Sequence, residues 1–351
     1  LAGVAITIVP ATVTVLTDGE GKYTLIVAPG TTYTVWAKKT GYQPSSDKRS
    51  AFAGETVTLN LALTPLVLGS IYGQILASGA PAYNVRVEVE PGGNYAYTNA
   101  QGDYTLSLNP GTHLAKVNKN SYATLEFRFT LGERDTVQQD LKMVDNYYLK
   151  AHYPLDGNAD EAYKGKHGTL TGGVPAEDRF GREGKTVSFD GSSTMATLPA
   201  TFDDPVNTIV VAAWIRLPAL PGEDQVIYYS GPNRHFYFFV NGAGRLGLTY
   251  WVEGSQDPIT KLSRETDTVP TGDWAHVAVC WEDTSNLAFY INAEHKGGWT
   301  PIGSYAGGPE DDPCAIGACS DGSKKFKGCI DEVRIYERCQ HLASLALWNI
   351  N

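Results

Sequence analysis

Two carboxylates stand where a strand should be apolar. The stretch Phe326-Lys327-Gly328-Cys329-Ile330-Asp331-Glu332-Val333-Arg334-Ile335-Tyr336 carries an apolar set, Phe326, Ile330, Val333 and Ile335, with Asp331 and Glu332 in its middle. Charge in such a run needs a cation, a salt partner or a turn. Asp156, Asn158 and Asp160 lie two residues apart. On an extended loop that spacing aims oxygens at one hard cation; calcium takes about six to eight of them. The same residues also form turns. Aromatics are dense at Tyr228-Tyr229, Phe236-Tyr237-Phe238-Phe239, Tyr250-Trp251 and Trp299. Strand alternation sends either Phe236 and Phe238 or Tyr237 and Phe239 to the core. Trp251 and Trp299, each beside glycine or polar residues, are the expected exposed platform for a sugar face. The chain lacks His-Glu-x-x-His, Gly-x-Ser-x-Gly and phosphate-loop patterns, and Gly242-Ala243-Gly244 reads as a hairpin turn.

Behind these residues stands a β-rich chain. Its 351 residues exceed one ordinary domain, and 37 Gly, 20 Tyr and many Thr and Val favour strands with tight turns. The one helical pattern is His341 to Trp348. Net charge is −10, and all of the excess falls in residues 145–351; residues 1–144 are balanced. An acidic domain argues against nucleic acid or an anionic membrane as partner. No apolar run reaches the length of a spanning helix, so membrane insertion is not expected. The chain begins at Leu1 without Met and reads as processed or trimmed.

The first 144 residues contain a tandem duplication. Val85-Arg86-Val87-Glu88-Val89 answers Val4-Ala5-Ile6-Thr7-Ile8. Asn99-Ala100-Gln101-Gly102-Asp103-Tyr104-Thr105-Leu106 answers Asp18-Gly19-Glu20-Gly21-Lys22-Tyr23-Thr24-Leu25. Asn109-Pro110-Gly111-Thr112 answers Ala28-Pro29-Gly30-Thr31, and Asn120-Ser121-Tyr122 answers Thr40-Gly41-Tyr42. The pattern resembles the carboxypeptidase-regulatory-like module, an immunoglobulin-like β-sandwich that serves as spacer or stalk. The second copy opens with Gly69-Ser70-Ile71-Tyr72-Gly73-Gln74-Ile75-Leu76; the first has no counterpart. A trimmed strand and a strand donated by another chain are the two readings.

The remainder resembles laminin-G-like domains, the concanavalin-A-like jelly rolls. The resemblance rests on Tyr153-Pro154-Leu155-Asp156-Gly157-Asn158-Ala159-Asp160, Val187-Ser188-Phe189-Asp190-Gly191, Ala213-Trp214-Ile215, Trp274-Ala275-His276-Val277-Ala278-Val279 and Phe289-Tyr290-Ile291-Asn292, in that order before the Phe326–Tyr336 stretch. It implies an all-β chain of two immunoglobulin-like sandwiches, residues 1–66 and 67–145, and one jelly roll, 146–351. First and last strands are neighbours in such domains, so Asp156, Asn158, Asp160 and Asp331 would share a calcium site. The fold's glycosidases carry Glu-x-Asp-x-x-Glu, which is absent here.

All five cysteines, Cys280, Cys314, Cys319, Cys329 and Cys339, fall in the jelly roll and favour an oxidising compartment. As a strand, Cys314 to Cys319 spans about 16 Å, too far for a bridge. A hairpin at Gly322-Ser323 would set Cys319 against Cys329 and leave Cys314 to Cys339, with Cys280 a buried apolar residue. The expectation is an extracellular, non-enzymatic binding or adhesion protein whose jelly roll takes a carbohydrate or a surface protein. Alternatives are a self-assembling subunit of a surface filament or sheath, and an accessory region of a secreted polysaccharide-degrading enzyme.

Overall fold

The structure is a computed structural model that describes residues 1–10, 13–199, 208–231, 236–282, 285–301 and 313–339. The helix expected at His341 to Trp348 lies outside the described residues. Strands dominate, as the composition requires, and no helix occurs among the described residues. Contacts divide the chain into two compact units: residues 1–119 with 124–141, and residues 120–123 with 142 onward.

In the first unit the duplication appears as two sheets of the same order. One runs Val13–Leu16, Ala5–Val9, Tyr33–Lys38, Ser45–Arg49; the other runs Asn94–Tyr97, Arg86–Glu90, Gly111–Asn118, Leu125–Leu131. Alternation sets Ile6, Ile8, Val35 and Ala37 in the first core. Val87, Val89, Ala115 and Val117 are buried at the matching places of the second. The second module also has an opposing sheet, Asp103–Leu108, Gly69–Ala77, Thr136–Gln138, with Gly69–Ala77 in its centre.

The second unit is a jelly roll of two sheets. One sheet runs Val174–Ala176, Thr186–Asp190, Lys327–Tyr336, Thr208–Arg216, Trp274–Glu282, Asn286–Ile291, Glu294–Trp299, and Leu149–Tyr153 also pairs with Lys327–Tyr336. The other runs Thr169–Thr171, Met195–Leu198, Cys314–Ile316, Gln225–Tyr229, Phe236–Val240, Leu246–Tyr250, Ile259–Leu262. The first and last strands are neighbours, with Tyr153 opposite Val333 and Leu149 opposite Tyr336. Phe326, Ile330, Val333 and Ile335 all enter the core.

Ile330 and Val333 are three apart yet face the same way, which a regular strand forbids. A bulge resolves this. The register against Thr208–Arg216 shifts between Ala212 and Trp214, and Glu332 takes φ +54°. The inserted residue puts both carboxylates on the side away from the core.

The cysteine pairing differs from the expectation. The disulfide joins Cys280 to Cys339, with Cα atoms 5.6 Å apart, while Cys314, Cys319 and Cys329 are buried thiols. Neither Cys319–Cys329 nor Cys314–Cys339 forms, because residues 314–336 make no hairpin. Cys314–Ile316 belongs to one sheet and Lys327–Tyr336 to the other, and stacked sheets lie about 10 Å apart. Cys319 packs on Val226 and Phe239, whereas Cys329 receives a hydrogen bond from Arg216 at 3.4 Å. Cys280 reaches Cys339 because Val210 pairs both with Cys280 and with Tyr336.

Candidate functional site

The candidate site is the outer face of the seven-stranded sheet. Phe236, Phe238 and Val240 point inward, so Tyr237 and Phe239 point out. Cross-strand register then builds two rows. Tyr229, Tyr237, Thr249 and Thr260 lie side by side, and so do Val226, Phe239, Gly247 and Leu262. Tyr229 and Tyr237 stand 6.5 Å apart between ring centroids, Tyr237 and Phe239 5.3 Å, and Tyr237 and Trp251 6.4 Å. Phe239 is buried, but Tyr229, Tyr237 and Trp251 keep part of their surface in solvent. The Phe239 ring lies over the Gly247 backbone, where a Cβ would meet its Cζ at 2.3 Å.

Polar groups edge this patch. Lys324 Nζ lies 5.5 Å from the Tyr237 ring centroid and 2.9 Å from Asp224. Burial lowers the Lys324 pKa, but the hydrogen bond to Asp224 and neighbouring charges leave it raised, so it stays a cation. Thr249 and Thr260 share a hydroxyl–hydroxyl hydrogen bond of 2.8 Å. Thr249 is buried and Thr260 exposed, so the patch offers apolar faces for stacking with a cation and the Thr260 hydroxyl beside them.

Of the two tryptophans singled out in the sequence, Trp251 joins this patch. Trp299 is elsewhere: it lies on Glu294–Trp299, the end strand of the other, eight-stranded sheet, is 48% exposed, donates Nε1–H to the Leu262 carbonyl at 3.1 Å, and carries Lys261 over its ring at 5.0 Å. Tyr229 and Tyr237 are the members the sequence left unassigned. The signal for them was alternation, which leaves open which phase faces the core.

The expected metal ligands engage three separate basic side chains. Asp156 pairs with Lys185 at 2.7 Å, Asp160 lies 3.4 Å from His167, and Asp331 pairs with Arg179 at 3.2 Å. Asn158 accepts the Asp160 N–H at 2.9 Å, which is the turn-forming alternative. Among the described residues no group of three or more His, Cys, Asp or Glu is gathered to hold a metal.

The carboxylates of the bulge have salt partners. Glu332 bonds His152 at 2.9 Å and Arg334 at 2.7 Å. Burial opposes its ionisation, but Arg334 and His152 hold its carboxyl well below the usual range. Glu337, five residues on from Glu332, pairs with Lys150. Arg179 stacks on Trp214 at 4.9 Å, and Trp214 meets His276 edge-on. The side of the eight-stranded sheet away from the core is therefore a covered polar layer.

Residues 70–144 match the family model of the carboxypeptidase regulatory-like domain, and residues 190–345 match that of the concanavalin A-like lectin/glucanases superfamily. The chain thus carries an immunoglobulin-like regulatory domain followed by a concanavalin-A-like jelly roll. Over 153 residues, 41% of the chain, it is 31% identical to Bacillopeptidase F of Bacillus subtilis (strain 168), of whose length that match covers 10%. Similar solved structures include Domain 4 of AbnA, a GH43 extracellular arabinanase from Geobacillus stearothermophilus, in complex with arabinotriose; identity is 22%, coverage 57% of this chain and 98% of that one, TM-score 0.45. The Ruminococcus gnavus IT-sialidase CBM40 bound to alpha2,3 sialyllactose is 13% identical, covering 40% of this chain and 83% of that one, TM-score 0.35. No described helix is long and apolar enough to cross a membrane.

Proposed function

We propose that the jelly roll is a carbohydrate-recognition head, carried on the immunoglobulin-like modules of an extracellular, non-enzymatic binding protein. The observation that carries this reading is the partly exposed aromatic face Tyr229–Tyr237–Trp251, bordered by Lys324 and the Thr260 hydroxyl. Sugar C–H faces stack on such rings while hydroxyls bond to the polar rim. The match to a superfamily that includes lectins supports it, and the Cys280–Cys339 bridge suits an oxidising compartment. The salt-bridged state of Glu332 and Glu337 suits binding better than glycosidic hydrolysis, which needs a free acid and a free carboxylate facing one bond.

Tyr237→Ala and Trp251→Ala are the test, read on a glycan array and by calorimetry on the strongest hit. Expected is at least a tenfold loss of affinity, about 1.4 kcal/mol, with the melting temperature held within a few degrees. Unchanged glycan binding by both variants would place the ligand elsewhere. Calcium at Asp156, Asn158, Asp160 and Asp331 would require Lys185 and Arg179 to give way. Its test is the melting curve in calcium against chelator, and identical curves dispose of the site.

A second reading, an accessory region of a larger secreted enzyme, is favoured by the match to a small part of a much longer peptidase. The recognition head would then deliver a neighbouring catalytic domain to its polymer.

A further inference from the structure

The duplicated modules of the first unit share one backbone frame, so each residue on one sheet has a counterpart on the other. Ile6 pairs with Ala37 and Ile8 with Val35 in the first module; Val87 pairs with Val117 and Val89 with Ala115 in the second. All eight are buried. The residues between them point the other way. There Thr7 stands opposite Trp36 in the first module, and Glu88 opposite Lys116 in the second. With the flanking strands, the outward row of the first module reads Thr14, Thr7, Trp36, Ser46. That of the second reads Tyr95, Glu88, Lys116, Glu126.

One frame thus carries two different surfaces. In the second row charges answer each other: Glu88 pairs with Arg86 at 3.1 Å, and Lys116 with Glu126 at 3.8 Å. That row also shows that the frame folds with lysine in the place of Trp36. The fold therefore does not require tryptophan there, and burial does not explain it, since Trp36 is 36% exposed. Its cross-strand neighbours Thr7 and Ser46 are too short to cover an indole ring. Thr7 Oγ1 and Thr14 Oγ1 lie 3.4 Å apart in a hydroxyl–hydroxyl hydrogen bond. An aromatic ring set among hydroxyls results, on a row about 14 Å long across four strands.

The same face is positive. Lys38 Nζ lies 5.5 Å from the centroid of the Trp36 ring. Lys48 stands opposite Thr34, two residues before Trp36 and on its side of the sheet. Both lysines are exposed. The acid of that edge strand, Asp47, is opposite the inward Val35 and pairs with Arg49 at 2.7 Å. The outward positions of the four strands hold no Asp or Glu.

We propose that this face of the first module is a polysaccharide-binding site in its own right, and that its ligand class is a polymer of uronic acids. The Trp36 ring takes the C–H face of one sugar, and the threonine and serine hydroxyls bond to sugar hydroxyls. Lys38 and Lys48 meet the carboxylates, which a face without acids leaves unopposed. Duplex nucleic acid presents a charge about every 1.7 Å, far denser than two lysines answer. A uronate polymer presents one per ring.

The experiment uses the full chain carrying Tyr237→Ala and Trp251→Ala, which silences the jelly-roll patch. Comparison of this form with the unaltered chain reads the jelly-roll proposal separately. Three further forms are made in it: Trp36→Ala; Trp36→Lys with Ser46→Glu, which installs the ion pair of the second module; and Lys38→Gln with Lys48→Gln. Affinities are read from retardation in native gels containing polygalacturonate, alginate, dextran or duplex DNA. The parent form should be retarded by a uronate polymer and not by dextran. Both Trp36 forms should bind at least about tenfold more weakly with the melting of the first unit unchanged. The lysine form should bind more weakly and lose most of the salt dependence. A parent form that neither uronate polymer retards, or a Trp36→Ala form retarded equally, would overturn the site. Equal retardation by dextran, unchanged affinity of the lysine form, or tighter Trp36-dependent retention by DNA would overturn the ligand class.

Discussion

His276 is the residue whose chemistry is most constrained by its place. Burial first, then Arg179 and Arg334, push its pKa down to about 3. An unfolded histidine titrates near 6.5. The folded value lies below the unfolded one, so the native state holds the neutral ring and the unfolded chain takes up the proton more readily. Stability from this group is complete above about pH 6.5 and is lost as pH falls toward 3. H276Q should flatten the acid side of the melting-temperature profile of the second unit between those limits. A variant profile parallel to the wild type would remove His276 as the cause. At Gly247 the constraint is steric, since the Phe239 ring occupies the place of a Cβ. G247A should cost roughly 1–3 kcal/mol by denaturant titration, and adding F239L should recover most of it.

The last core strand shows where sequence reading works and where it stops. Its apolar set was legible, because burying Phe326, Ile330, Val333 and Ile335 requires nothing beyond hydrophobicity. The bulge was not, since the spacing of Ile330 and Val333 reads as a phase error until a positive φ at Glu332 absorbs the extra residue. The bridge partners were hidden for a related reason. Cys280 and Cys339 are 59 residues apart and meet through sheet order, which no local spacing carries. The aromatic strand was half legible: alternation was plain, and only the opposing sheet decided that Phe236 and Phe238 go in. A prediction follows for the bulge. Deleting Glu332 removes the extra residue and places Val333 two positions after Ile330, so Val333 and Ile335 should stay in the core and the near-ultraviolet circular dichroism of the jelly roll should be retained. E332G keeps the backbone conformation and should retain that signal while losing the contacts to His152 and Arg334. Loss of the signal in the deletion variant alone would mean that the inserted residue does not account for the phase of Ile330 and Val333.

At the scale of the whole chain, the two units differ in what holds them. No cysteine precedes Cys280, so reductant should act on the second unit alone. By loop-closure entropy the 59-residue loop contributes about 4 kcal/mol. Melting under reductant should therefore lower the transition of the second unit and leave that of the first unchanged; a shift of both would show that the two unfold together. The tandem repeat and the order of the jelly-roll motifs were legible from residue patterns. The candidate site was only partly so, because Tyr229, Tyr237 and Trp251 come from three stretches that only folding brings together.

The same bridge has a mechanical meaning. A pull on the C-terminal end passes at Cys339 into Cys280, and the chain between them carries no load. Those 59 residues, the Lys327–Tyr336 strand among them, are withheld from extension. At about 3.6 Å per residue the hidden length is roughly 210 Å. Stretching single molecules should give an unfolding step for the second unit that is shorter by this amount under oxidising than under reducing conditions. A jelly roll clipped in this way yields less length under tension, so force on its end would rise sooner.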